Sequence, residues 1–195
     1  MFTACDSDSN ATSGGGGQGG DTSSSSSSSA GGGGSGGAGV ESFYSCVEDD
    51  YAEARPLSGA NFDVTQGGFL MEPAQSTFVA HTTQIYVRPD GEDEFFQRSG
   101  ELFGVLAETP GLVAWTVGTS ETCGVARTMG IWESEEALYA FVAGDVHAQA
   151  MARTTALSFT GKTTHFDVSK EEAEALSWDG MRAELEGIDP SPLYR

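Results

Sequence analysis

From Ser76 to Val168 the chain runs through six hydrophobic patterns in the order strand, helix, strand, strand, helix, strand. That order restricts the fold more than any composition figure. "STFVAHTTQIYV" opens it, rich in β-branched and aromatic residues, and "RPDG" ends the strand. Asp90 is predicted to cap the helix that follows, with Asp93 three residues on and acids filling the first turn. Phe95, Ser99, Leu102, Phe103 and Leu106 then share one helical face, and "TPG" stops the helix at Pro110 and Gly111. "LVAWTVG" and "VARTMGIW" read as a second and third strand, and the short "TSETCG" between them makes an antiparallel hairpin. Ser134 is predicted to cap the second helix, with Glu135 and Glu136 at its positive end. Leu138, Phe141 and Val142 form its apolar face, and Gly144 bends or breaks it before "DVHAQAMARTTA". "GKTTHFDV" closes the series as a fourth strand, with Thr164, Phe166 and Val168 alternating against Thr163, His165 and Asp167.

This is the ferredoxin-like βαββαβ order, an α+β fold with one four-stranded sheet. Its two helices cover one face of the sheet, so the other face needs a cover of its own. A second copy of the same sheet is the economical answer, and a homodimer, a dimeric α+β barrel, is expected.

The flanks differ in kind. Residues 1–39 are expected to form a disordered tether, because Ser13 to Gly39 is almost all Gly and Ser and has nothing to bury. Residues 40–75 form a lead-in whose order the sequence leaves open, residues 76–168 the folded domain, and residues 169–195 a helical extension. In that extension Ser169 and Glu172 make a capping-box pattern, and Ala173, Leu176, Met181 and Leu185 make an apolar stripe that Gly180 interrupts. Nine Lys and Arg stand against 29 Asp and Glu, a net charge of −20. A polyanion of this kind repels nucleic acid and anionic lipid, so neither is expected as a partner. No stretch approaches the roughly 18 apolar residues that a spanning helix needs.

"MFTAC" followed by "DSDSNATSGGGG" resembles the processed end of a bacterial lipoprotein, in which a cysteine takes the lipid and a polar tether follows. The resemblance implies a lipid anchor on Cys5 as the only membrane contact, and a place in a bacterial cell envelope. A signal peptide needs an apolar run of about 7–15 residues before the cleavage site, and this sequence has none before Cys5. Either the start lies upstream, or Cys5 is an ordinary cysteine in a disordered, cytoplasmic arm. With Cys5 lipidated, Cys46 and Cys123 are left as a pair in an oxidising compartment, open to a bridge or to two free thiols.

Three motifs carry a second resemblance: "VRPDGEDEFF" entering the first helix, "ETPGLVAWTVG" opening the second strand, and "GIWESEEALYAFVAGDVH". Together they make residues Phe78 to Val168 similar to the antibiotic biosynthesis monooxygenase-like family of dimeric α+β barrels. That resemblance implies oxygenation of a small phenol or quinol without a bound cofactor. The substrate supplies the electrons, and the protein supplies an apolar pocket, a base and donors for the anion. His147, His81 or His165 would serve as base, Arg127 as anion partner, and Trp115 and Trp132 as pocket walls. A haem-degrading branch of the family uses an asparagine, a tryptophan and a histidine. Those positions fall here near Thr83, on Phe141 and on Met151, and no asparagine follows Asn61. Phe141 and Met151 are then read as pocket residues, and a haem-binding or haem-degrading protein is left as a third reading, weakened by the missing groups.

Each candidate also has a plain structural use. Trp132 at a strand end seals a core, and Met151 fills one. His147 lies just past Gly144, where backbone carbonyls lose helical partners and an imidazole can bond them. His81 and His165 lie on neighbouring strands, but without a third ligand at fitting spacing they make no metal site. Arg127 alternates with Val125 and Met129, so it needs a buried partner. A ligand-binding or structural barrel without turnover is therefore the alternative to an enzyme.

Lipidation has a direct check. Expressed with its upstream sequence, the protein is expected to partition into detergent, and Cys5→Ser to return it to the aqueous phase. Equal partition of the two forms would end the anchor reading.

Overall fold

The structure, a computed structural model, describes residues 40–191. Cys5 and the tether over 1–39 lie outside the described residues, as do residues 192–195. The lead-in is ordered and built of very short elements. Helix α1 (Val40–Tyr44) is followed by β1 (Ala52–Glu53), β2 (Ser58–Gly59), β3 (Phe62–Asp63) and β4 (Gly68–Phe69). The domain proper then runs β5 (Thr77–Val87), α2 (Glu92–Leu106), β6 (Leu112–Ser120), β7 (Val125–Trp132), α3 (Glu135–Val142), α4 (Asp145–Leu157) and β8 (Ser158–Ser169). Two helices close the chain, α5 (Lys170–Glu174) and α6 (Trp178–Glu186).

The four long strands lie in the order β6-β7-β5-β8, and every neighbouring pair is antiparallel. This is the ferredoxin-like arrangement that the hydrophobic order predicts. The lead-in adds to it: β1 and β2 pair with β6, and β3 and β4 continue outward from β2. The edge that β6 would present is thereby paired, which removes a site of edge-to-edge association.

Alternation along β5 and β7 separates two faces. Phe78, Ala80, Met129 and Ile131 point one way and pack with Val168 and Ala114. Val79 and Trp132 point the other way and pack with Leu138, Phe141, Leu106 and Leu112, the helical side. The first face is the one for which a second copy was expected. Here the chain covers it by itself: Leu57 and Phe62 of the lead-in, with Ala173 and Met181 of α5 and α6, complete one buried cluster on it. Phe62 and Ala80 are 0% exposed, so the cover is dry. The argument for a homodimer from an open sheet face therefore lapses for this chain. Beyond that cluster the same face turns polar, and Tyr44 of α1 packs edge-on against Tyr86.

The helical side is thinner. No residue of α2 is fully buried, and its predicted face of Phe95, Ser99, Leu102, Phe103 and Leu106 is half-buried throughout. Ser134 caps α3 by accepting from the Ala137 N–H, as its sequence position predicts. Asp90 does not cap α2. Pro89 opens a 3-10 turn over Pro89–Gly91, and α2 starts after Gly91 with no side-chain cap. The extension is two helices rather than one. Its break falls before Ser177, which caps α6 through the Gly180 N–H, so Gly180 sits in a first turn and interrupts nothing. The capping box of Ser169 and Glu172 forms in full.

The lead-in is thus part of the core, and its removal from it has a predictable magnitude. Phe62→Ala is expected to destabilise the protein by about 3–5 kcal/mol, the range for truncating a fully buried phenylalanine. Urea unfolding measures this. A loss within ~0.5 kcal/mol, as at an exposed site, would show that the lead-in is only loosely attached.

Candidate functional site

The break between α3 and α4 borders an apolar opening on the helical side. Gly144 leaves the helix with φ −65° and ψ 147° and becomes the N-cap of α4 without a side-chain bond. Val142 ends α3, and its carbonyl is one of those the break leaves without a helical partner. His147 takes it up: Nδ1 lies 3.1 Å from the Val142 oxygen. A carbonyl can only accept, so Nδ1 carries the proton and Nε2 keeps its lone pair. The imidazole packs on the Phe141 ring, with centroids 4.9 Å apart. Burial holds its pKa below the usual histidine value, against the opposing pull of the Val142 bond. Both rings line a cleft of about 310 Å³ with Val105, Pro110, Ala137 and Ala140, at the junction of α2, α3 and α4.

His81 and Trp132 form the layer beside this cleft. Trp132 is 0% exposed and stacks at a tilt on Phe141, centroids 5.4 Å apart. Its indole N–H donates to His81 Nδ1 at 2.8 Å. That fixes the tautomer: Nδ1 accepts, so Nε2 of His81 bears the proton and donates. Gly130 makes room for this ring, since a Cβ there would stand 2.4 Å from His81 Cε1. Burial, with His147 and His165 nearby, brings the His81 pKa down to about 4. His81 is therefore a neutral donor near pH 7, not a base. His165 is its cross-strand partner in the register, but it turns outward to Glu135 Oε1 at 3.0 Å and sits 3.5 Å from the Tyr139 hydroxyl. Among the described residues no three His, Cys, Asp or Glu side chains are grouped to hold a metal ion.

Arg127 stands on the opposite face. Its guanidinium grips the Glu48 carboxylate with both Nη atoms, and its Nε donates to Gln84 Oε1 at 2.9 Å. Gln84 in turn donates to the Tyr86 hydroxyl at 2.7 Å. Both ion-pair side chains are buried, at 3% and 5% exposure. The partner that a buried Arg127 requires thus comes from the lead-in, and the arginine lies away from the histidines and their cleft. It lines instead a polar cavity of about 420 Å³ with Tyr44, Lys162 and Arg182. Nearby, Cys46 and Cys123 are joined in a disulfide, with Cα atoms 5.9 Å apart.

Of the sequence candidates, the fold brings together His147, Phe141, Trp132 and His81. Trp115 is on the helical side too, but it stacks on Phe103 with Arg55 above it, outside the cleft lining. Met151 lies in α4 with its sulfur 3.7 Å from the Thr154 hydroxyl, and it does not line the cleft either. Sequence reasoning missed Asp145, which lines the cleft, although it stands two residues before His147 at the predicted break. It also missed Glu48, for which no local signal exists.

The His81 geometry generates a pH dependence. In the unfolded chain His81 takes its proton near 6.5, whereas in the folded protein it resists protonation down to about 4. Below pH 6.5 the unfolded state binds more protons, so stability present above that pH falls as the pH drops toward 4. The loss attributable to His81 is on the order of 3 kcal/mol at most. Urea unfolding across this range should show a shallower fall for His81→Gln than for the parent, and identical slopes would remove His81 as the cause.

No protein-family model matches the chain, and no curated protein does. Solved structures do resemble it. A candidate monooxygenase from Lactobacillus acidophilus NCFM is 15% identical with a TM-score of 0.44, over 50% of this chain. The match spans about half of that protein's own length, 47%. An antibiotic biosynthesis monooxygenase is 16% identical with a TM-score of 0.43, over 46% of this chain and 97% of its own. A candidate antibiotic biosynthesis monooxygenase from Caulobacter crescentus CB15 is 21% identical with a TM-score of 0.44, over 48% of this chain and 91% of its own. The solved structures that this chain resembles thus include antibiotic biosynthesis monooxygenases, and the likeness is one of fold.

Proposed function

We propose that the cleft at the junction of α2, α3 and α4 binds a small phenol or quinol and promotes its oxidation by dioxygen without a bound cofactor. One observation carries this reading. His147 donates its Nδ1 proton to the Val142 carbonyl, so a neutral ring on an apolar cleft keeps its Nε2 lone pair. That is the tautomer a general base needs. At about 310 Å³ the cleft is at the small end of the roughly 300–1,000 Å³ usual for ligand sites, which suits one aromatic ring.

In this reading Nε2 of His147 accepts the phenolic proton. The phenolate is the electron-rich form that reacts with dioxygen. A phenol and dioxygen give a quinone and water, so one oxygen atom enters the ring and the other leaves reduced. The substrate is the only reductant. A binding barrel without turnover is the second reading. The bond from His147 to Val142 serves it equally well, because a purely structural histidine would make the same bond.

Incubation of the protein with a panel of phenols and quinols under oxygen, read by mass spectrometry, separates the two. His147→Gln is expected to lower product formation by about 10²-fold or more, the usual contribution of a general base. Should product be unchanged while stability drops by about 1–3 kcal/mol, the Val142 bond is the whole role of His147.

A further inference from the structure

We infer that the preferred ligand of this cleft is a phenol bearing an ammonium group on a side arm, and that Asp145 in the cleft lining is the group that reads it. The inference rests on the cleft being a phenol site and adds the charge of its ligand.

The lining is apolar except for a few groups. Val105, Pro110, Ala137 and Phe141 supply carbon surface, His147 is neutral, and among the described residues Asp145 is the only charged one that lines the cleft. Asp145 is an exposed residue of that lining, in the first turn of α4.

The described cations are all placed elsewhere. Arg98 and Arg153 both hold Glu94. Arg127 is sealed on Glu48, and Lys162 and Arg182 line the cavity on the other sheet face. Lys170 pairs with Glu72, and Arg55 and Arg88 lie over the rings of Trp115 and Phe159. An anionic substituent in the cleft would meet no counter-charge and would arrive against a net charge of −20. An ammonium would meet Asp145 at the edge of an apolar wall, where its ring end is buried and its charged end stays wet. An arm without a donor, such as a methyl group, would gain nothing from Asp145.

Three probes differing only in the para arm test this: tyramine, p-cresol and 4-hydroxyphenylacetate. Their affinities for the full chain are measured by calorimetry under nitrogen at physiological salt. Tyramine is expected to bind about fivefold tighter than p-cresol, the scale of one partly exposed ion pair, with 4-hydroxyphenylacetate weakest. Asp145→Asn, at an exposed position in the first turn of α4, is expected to stay folded at the assay temperature and to bring tyramine within about twofold of p-cresol. Equal binding of tyramine and p-cresol by the parent would overturn the inference while leaving the phenol site standing. A preference for tyramine that survives Asp145→Asn would overturn the role of Asp145. Failure of all three probes to bind would overturn the phenol site and this inference with it.

Discussion

A sheet whose strands are apolar on both faces needs two covers, and the rest of this structure depends on how the second is supplied. In β5 the alternation places Phe78 and Ala80 on one face and Val79 on the other, so neither face tolerates water. The helices α2, α3 and α4 provide the first cover, which the βαββαβ order itself dictates. The second comes from both flanks of the same chain, through Phe62 on one side and Met181 on the other. Burial at roughly 25 cal/mol per Å² rewards that closure, and it makes the flanks structural rather than ornamental.

The two covers divide the chemistry. Beneath the flanks lie the buried charges, with Arg127 and Glu48 satisfying each other and Gln84 completing the set. A pair so well matched is consumed by its own contacts, because breaking it would strand a charge in a dry place. Beneath the helices the burial is incomplete, and the polar groups left there include two histidines in fixed tautomers. His81 is fixed by Trp132 and His147 by Val142, one as donor and one as acceptor. The looser cover is therefore the one that leaves an apolar cleft, whereas the cavity under the flanks is polar.

The core strands and helices were legible because their periods run for eight residues or more. The Ser134 cap and the Gly144 break were legible for a related reason, since capping chemistry is local. His147 and its Val142 partner are five residues apart, within reach of the same local argument. The role of the lead-in was not legible. Its strands are two residues long, too short to show any alternation, and its anchors Leu57 and Phe62 stand singly among turn residues. The partner of Arg127 was hidden by distance along the chain, since Glu48 is 79 residues away. The sequence predicts that a buried arginine needs an acid, but nothing local says which of 29 it is. Asp90 misled because proline at the next position back starts a tighter turn before the α-helix begins.

The Cys46–Cys123 bridge has a mechanical meaning. It joins the lead-in, just after α1, to the turn between β6 and β7, so residues 46–123 form a closed covalent loop. A pull arriving from the N-terminal side travels through α1, reaches Cys46, and passes by covalent bonds straight into the central hairpin. The segment that carries Leu57 and Phe62 lies inside the loop and bears none of that load. Tension that would otherwise peel the cover from the sheet, one contact at a time, is shunted past it. A domain held by its N-terminal end would keep the lead-in seated on its sheet while being tugged.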